Sequence, residues 1–83
     1  MGGRKGTPTE AFGQVLRELR VRNGLTQEAL ANAADTERSH ISALERAEKG
    51  PSLGTILSLA RALGISAGQI MTMVEDKLEQ KKR

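Results

Sequence analysis

The sequence predicts an all-α fold, a compact five-helix domain. Three observations predict it. Apolar residues recur at helical spacing along most of the chain. Helix start signals alternate with stop signals at Thr7-Pro8, Asn23-Gly24, Thr26, Asp35, Pro51-Ser52, Gly64 and Ser66. No stretch alternates apolar and polar residues as a half-buried strand would, and no internal repeat is present.

Met1 to Gly6 is glycine-rich and basic, and reads as a disordered arm. The folded domain spans residues 7–80. Thr7 caps the first helix, Pro8 suits its first position, and Glu10 completes a capping box. Phe12, Val15, Leu16 and Leu19 form its inner face, and Gly24 is free to take the left-handed conformation that ends it. Thr26 caps a short second helix whose inner face is Leu30, Ala31 and Ala34. These small residues allow close packing against a neighbour. Asp35 ends that helix, because aspartate tolerates positive φ better than most residues. Thr36 or Asp35 is expected to cap the third helix, with Ile41 and Leu44 inward. Pro51-Ser52 starts a fourth, with Leu53, Ile56, Leu57, Ala60 and Leu63 expected inward and Gly64 as its stop. Ser66 and Gln69 form a second capping box, and Ile65 and Ile70 a hydrophobic staple, at the start of a fifth helix. The fifth helix places Ile70, Met71, Met73, Val74 and Leu78 in a stripe with more apolar surface than one short helix can hide, so a homodimer contact is expected there. Residues 81–83 read as a basic, solvated tail.

Composition narrows the function. The chain has 83 residues, a 37% hydrophobic fraction, no cysteine, one histidine and one aromatic residue. Disulfides and thiolate metal sites are excluded, and a catalytic set is hard to assemble from this stock, so no enzyme and no cofactor are expected. No apolar run approaches the roughly 18 residues of a membrane span, and no apolar stretch follows Arg4 and Lys5 to make a signal peptide. No membrane partner and a cytoplasmic location are therefore expected. The net charge is +3. Between Thr9 and Val74, however, Arg17, Arg20, Arg22, Arg38, Arg46, Lys49 and Arg61 are balanced by Glu10, Glu18, Glu28, Asp35, Glu37, Glu45 and Glu48. Basicity alone does not argue for nucleic acid; the placement of individual charges has to.

Placement does argue for it. Counting Gln27 as one, Ala31 is fifth, Asp35 ninth, Ile41 fifteenth and Leu44 eighteenth, the skeleton of a helix-turn-helix over residues 27–46. With Ile41 and Leu44 inward at about 100° per residue, Ser39, Ser42, Ala43 and Arg46 point away from the core, and Arg38 and His40 flank them. A solvated face normally carries long charged residues. Two serines and an alanine instead permit close approach to another surface, and the DNA major groove, about 12 Å wide, admits such a helix. Arg38 has the reach and fork for guanine, Ala43 suits a thymine methyl, and Ser39 and Ser42 reach phosphates or base edges.

The run GLTQEALANAADTERSHISALERAEKGPSLGTILSLARALGIS, together with LRELR before it, resembles the lambda-repressor-like, Cro-type (XRE) helix-turn-helix regulators, from about Phe12 to Ile70. The resemblance implies a lambda-repressor-like DNA-binding domain that binds double-stranded operator DNA as a two-fold dimer. It implies that Gln27 grips a phosphate and buttresses the third helix. Glu37, Arg38, Ser39, Ser42 and Ala43 then face the groove. His40 and Arg46 contact phosphates, with Lys49 beside them, and Arg20 pairs with Glu45 in a partly buried salt bridge. Three positions depart from the pattern. Asp35 replaces a glycine corner, Glu37 stands where serine or threonine commonly caps, and Ala47 replaces a glycine, so the third helix is expected to run longer or end differently.

The reading is a sequence-specific transcriptional regulator, such as a repressor, acting as a homodimer on a near-palindromic operator, with half-sites about one helical turn apart and no small-molecule effector. Restriction–modification controller proteins and prophage repressors share its size. The rivals are a DNA-binding antitoxin whose main partner is a toxin protein, a protein–protein adaptor, and a purely structural helical bundle.

Overall fold

A computed structural model describes residues 6–82. The disordered-arm assignment for Met1 to Lys5, and Arg83 of the tail, lie outside the described residues. Five helices follow in order: α1 (Pro8–Arg22), α2 (Gln27–Ala33), α3 (Arg38–Glu45), α4 (Leu53–Leu63) and α5 (Ala67–Lys82). α5 thus runs into the segment expected to be a tail.

The start signals work as their chemistry predicts. Thr7 Oγ1 accepts from the Glu10 N–H at 3.1 Å, and the Glu10 carboxylate accepts back from the Thr7 N–H. Thr26 accepts from the Ala29 N–H, Ser52 from the Thr55 N–H, and Ser66 and Gln69 cap reciprocally. α3 differs. Its N-cap is Glu37, which makes no side-chain cap bond. Thr36, expected to cap, has its hydroxyl 2.9 Å from His40 Nδ1 instead.

Four helices end in one motif. After α1, α2, α3 and α4 the N–H of a residue just past the last turn reaches back to close a six-residue loop: Leu25 to Arg20 O, Thr36 to Ala31 O, Glu48 to Ala43 O, Ile65 to Ala60 O. Each closure needs a left-handed residue before it. Gly24 and Gly64 supply two of these (φ 71° and 75°), but Asp35 (φ 58°) and Ala47 (φ 60°) supply the two that bracket α3. Ala47 therefore does what a glycine would. α3 stops at Glu45, so of the two outcomes expected from the substitution, a longer helix or a different ending, the longer helix does not form.

The core collects Phe12, Val15, Leu16 and Leu19 from α1, Leu30, Ala31 and Ala34 from α2 and its corner, Ile41 and Leu44 from α3, Leu59, Ala60 and Leu63 from α4, and Ile70 and Val74 from α5. Two expectations are corrected here. Leu53 and Leu57 face solvent (73% and 51% exposed), while Leu59, not assigned inward, is 1% exposed. α4 is apolar nearly all round, so its periodicity admitted two registers, and packing against α2 and α5 selected the one through Leu59. Ile70 and Val74, expected at a dimer contact, are 1% and 3% exposed because they fill this chain's own core. Met73 and Leu78 are half-buried against the core, and Met71 is exposed. α4 and α5 meet at 105° across the Gly64 corner. Among the described residues no single helix is long and apolar enough to cross a membrane.

α1 crosses α3 at Gly13. A Cβ there would lie 2.6 Å from the Leu44 carbonyl oxygen and 2.8 Å from that of Glu45, both backbone atoms. Gly13→Ala gains about 1 kcal/mol of helix propensity. Overpacking against rigid backbone costs about 1–3 kcal/mol, at the upper end here. The expected outcome is a lower urea midpoint; a midpoint at or above that of the parent would contradict the close crossing.

Candidate nucleic-acid interface

α3 is held from behind and open in front. Ile41 and Leu44 are fully buried. Glu37, Arg38, Ser39 and Arg46 stand in solvent, with Lys49 just beyond. Ser42, Ala43 and His40 are half-buried, so the serine and alanine expected to face a groove sit lower on the face than a helical wheel suggests. Each predicted DNA-contacting residue on α3 thus lies on or at the edge of one outward face, at the helix opposite its two anchors.

The orientation of that face is set by Glu45. Its carboxylate accepts from Arg20 Nε at 2.6 Å, from Arg20 Nη2 at 3.1 Å and from Gln27 Nε2 at 3.1 Å. Arg20 Nη1 donates to the Leu25 carbonyl at 2.9 Å. One carboxylate therefore joins α1, the α1–α2 corner, the first turn of α2, and the last turn of α3. The two side chains are only 13% and 4% exposed, so water screens the pair little. The bidentate fork suits arginine and not lysine. Hydrogen bonding to Glu45 raises the Arg20 pKa, with the carboxylate's charge adding to it and burial opposing it, so the guanidinium is charged at every accessible pH. The salt bridge expected between Arg20 and Glu45 is present, and Gln27 does buttress α3. One amide hydrogen of Gln27 is committed to that task.

Several contributors were not legible beforehand. Gly13 lets α1 lie directly on the end of α3; the available signal was a glycine in mid-helix, a position that ordinarily costs stability and so points to a packing reason. Glu48 pairs with Arg46, Nε to Oε2 at 3.0 Å, on the surface. Leu53 and Leu57, one turn apart on α4, form an exposed apolar pair next to half-buried Ile56. Beside them a cleft of about 200 Å³ opens between Pro8, Phe12, Pro51, Ile56 and Met71. Among the described residues no group of three or more His, Asp or Glu side chains is placed to hold a metal ion.

Comparison with known proteins agrees with this geometry. A family model described as helix-turn-helix domain matches residues 11–70. Control protein C.SmaI of Serratia marcescens is 35% identical over 71 residues, covering 86% of this chain and 84% of that protein. The restriction-modification controller protein C.AhdI from Aeromonas hydrophila superimposes with a TM-score of 0.73 at 44% identity, covering 75% of this chain and 94% of that one. The clp gene regulator ClgR from C. glutamicum superimposes with a TM-score of 0.81 at 30% identity, over 87% and 94% of the two chains.

Arg20→Met leaves the Glu45 carboxylate nearly buried with Gln27 alone. Removing one partner of a buried pair is expected to cost about 3 kcal/mol in urea unfolding, and replacing both, as in Arg20→Met with Glu45→Leu, to recover much of it. A single-variant loss under about 0.5 kcal/mol would place the pair with ordinary surface bridges.

Proposed function

The chain belongs to the helix-turn-helix domain family, DNA-binding transcription regulators and not enzymes, and from that premise we propose a sequence-specific regulator that binds a near-palindromic operator as a homodimer. Each copy lays α3 in the major groove. The observation that carries this is the two-sided character of α3, with Ile41 and Leu44 sealed in the core and Arg38, Ser39 and Arg46 in solvent.

The roles follow from donor and acceptor chemistry. Arg38 reads guanine through its fork, Ala43 meets a thymine methyl, and Ser39 and Ser42 bond to base edges or phosphates. Glu37, free of any cap bond, accepts from a cytosine amino group. His40, Arg46 and Lys49 meet phosphates. Gln27 uses its second amide hydrogen on a phosphate while the first stays on Glu45.

The second copy docks on the apolar surface of Leu53, Leu57 and Met71. These side chains are 73%, 51% and 39% exposed, and they adjoin the segment that leaves α3. This replaces the α5 stripe as the dimer contact, since Ile70 and Val74 are spent in the core. The likeness to control protein C.SmaI, 35% identical over 71 residues, supports a restriction–modification controller as the specific kind of regulator. Such a protein works in the cytoplasm, and its occupancy is set by its own concentration through dimerisation.

Selection from a random DNA pool tests the reading and supplies the operator. On that operator Arg38→Ala is expected to cost about 1–3 kcal/mol and to relax preference at one base pair. A loss equal on all sequences would remove Arg38 from base reading. Leu53→Glu with Leu57→Glu is expected to leave a folded monomer by sedimentation, with affinity for the full operator reduced to that for a half-site. A variant that stays dimeric would rule out this surface.

A further inference from the structure

We propose that Glu48 is an intramolecular competitor for DNA phosphate, a brake that the fold sets on Arg46. The inference rests on the DNA-binding reading above and deepens it.

Arg46 closes α3 and projects from its outward face. The next residue, the left-handed Ala47 (φ 60°), turns the chain back, and the Glu48 N–H is fixed to the Ala43 carbonyl at 2.9 Å. That turn returns the Glu48 side chain to Arg46, and Oε2 accepts from Nε at 3.0 Å. The two side chains are 64% and 54% exposed, so the pair contributes little to the fold. Its effect falls on what Arg46 can offer. A phosphate approaching Arg46 meets a guanidinium that already holds a carboxylate, and Glu48 repels it. The pair is too weak to lock Arg46 and strong enough to bias it.

The bias matters because the surface has little charge to spare. Around α3 the cations Arg38, Arg46 and Lys49 face the carboxylates Glu37 and Glu48, while Glu45 is turned inward to Arg20. Removing one carboxylate makes that surface one unit more positive. Sequence-independent binding depends on such phosphate neutralisation, and each phosphate neutralised adds about 0.9 to the slope of log affinity against log salt. With Glu48 in place Arg46 contributes less to that slope than a free arginine would. Binding then relies on base contacts.

Affinity for a random-sequence duplex, measured by fluorescence anisotropy from about 0.05 to 0.2 M salt, tests this without knowledge of the operator. Glu48→Gln is expected to bind severalfold more tightly at about 0.1 M, with a salt slope steeper by about 0.9. Glu79→Gln, the same charge change on the exposed far end of α5, is expected to leave both unchanged. In an Arg46→Gln background the Glu48→Gln gain is expected to vanish. An affinity and slope equal to the parent's, an equal gain from Glu79→Gln, or a gain that persists without Arg46 would each overturn the proposal. A parent protein that binds no duplex even at low salt would instead overturn the DNA-binding reading on which it stands.

Discussion

Glu45 is a single carboxylate that three helices share. Arg20 comes to it from α1 and Gln27 from α2, and it belongs itself to the last turn of α3. An exposed ion pair would contribute almost nothing here, since screening and side-chain entropy cancel most of the attraction. At 4% exposure Glu45 is in a different regime. A buried charge without partners is so costly that the three elements have few relative placements open to them. The network therefore acts more as a specification of geometry than as a store of stability. Gly13 works in the same direction by steric means: it lets the backbone of α1 rest against the last carbonyls of α3. Charge fixes the lateral position of α3 and the missing Cβ fixes its depth.

These constraints all meet the inner side of α3, which leaves its outer side free for recognition. The body of the domain is electrically balanced, so in the proposed reading attraction to DNA depends on a few charges at the ends of one short helix. The small residues between them permit close approach, and the half-buried seats of Ser42 and Ala43 lower the middle of that face. A helix designed only for solubility would carry neither feature.

Much of this was legible in the sequence because local rules and global packing agree. The caps at Thr7, Thr26, Ser52 and Ser66 form as residue type predicts, and the anchors Ile41 and Leu44 follow from helical period alone. Errors came where the local signal was degenerate. α4 is apolar on nearly every side, so Leu53 and Leu57 were assigned to the core in place of Leu59; only its packing against α2 and α5 decides the register. The α5 stripe was correctly apolar, but a sequence cannot say whether Ile70 and Val74 are covered by their own chain or by another. Thr36 was a sound cap candidate whose hydroxyl was taken by His40. Tertiary contacts such as Gly13 on Leu44, or Glu48 on Arg46, depend on distances that spacing does not encode. The DNA-facing roles of individual side chains rest on family resemblance and exposure together.

The left-handed corners at Asp35 and Ala47 have a consequence for how this domain can change. Asp35 closes α2 and Ala47 closes α3, each by a bond to the turn just before it, so the eleven residues between the two corners are set off from the elements on either side. Ile41, Leu44 and Glu45 plug the segment into the body. The remaining side chains owe the framework little, so the segment behaves as an exchangeable cartridge in a fixed socket. New target preferences can then arise by rewriting outward letters while the fold that presents them is inherited intact.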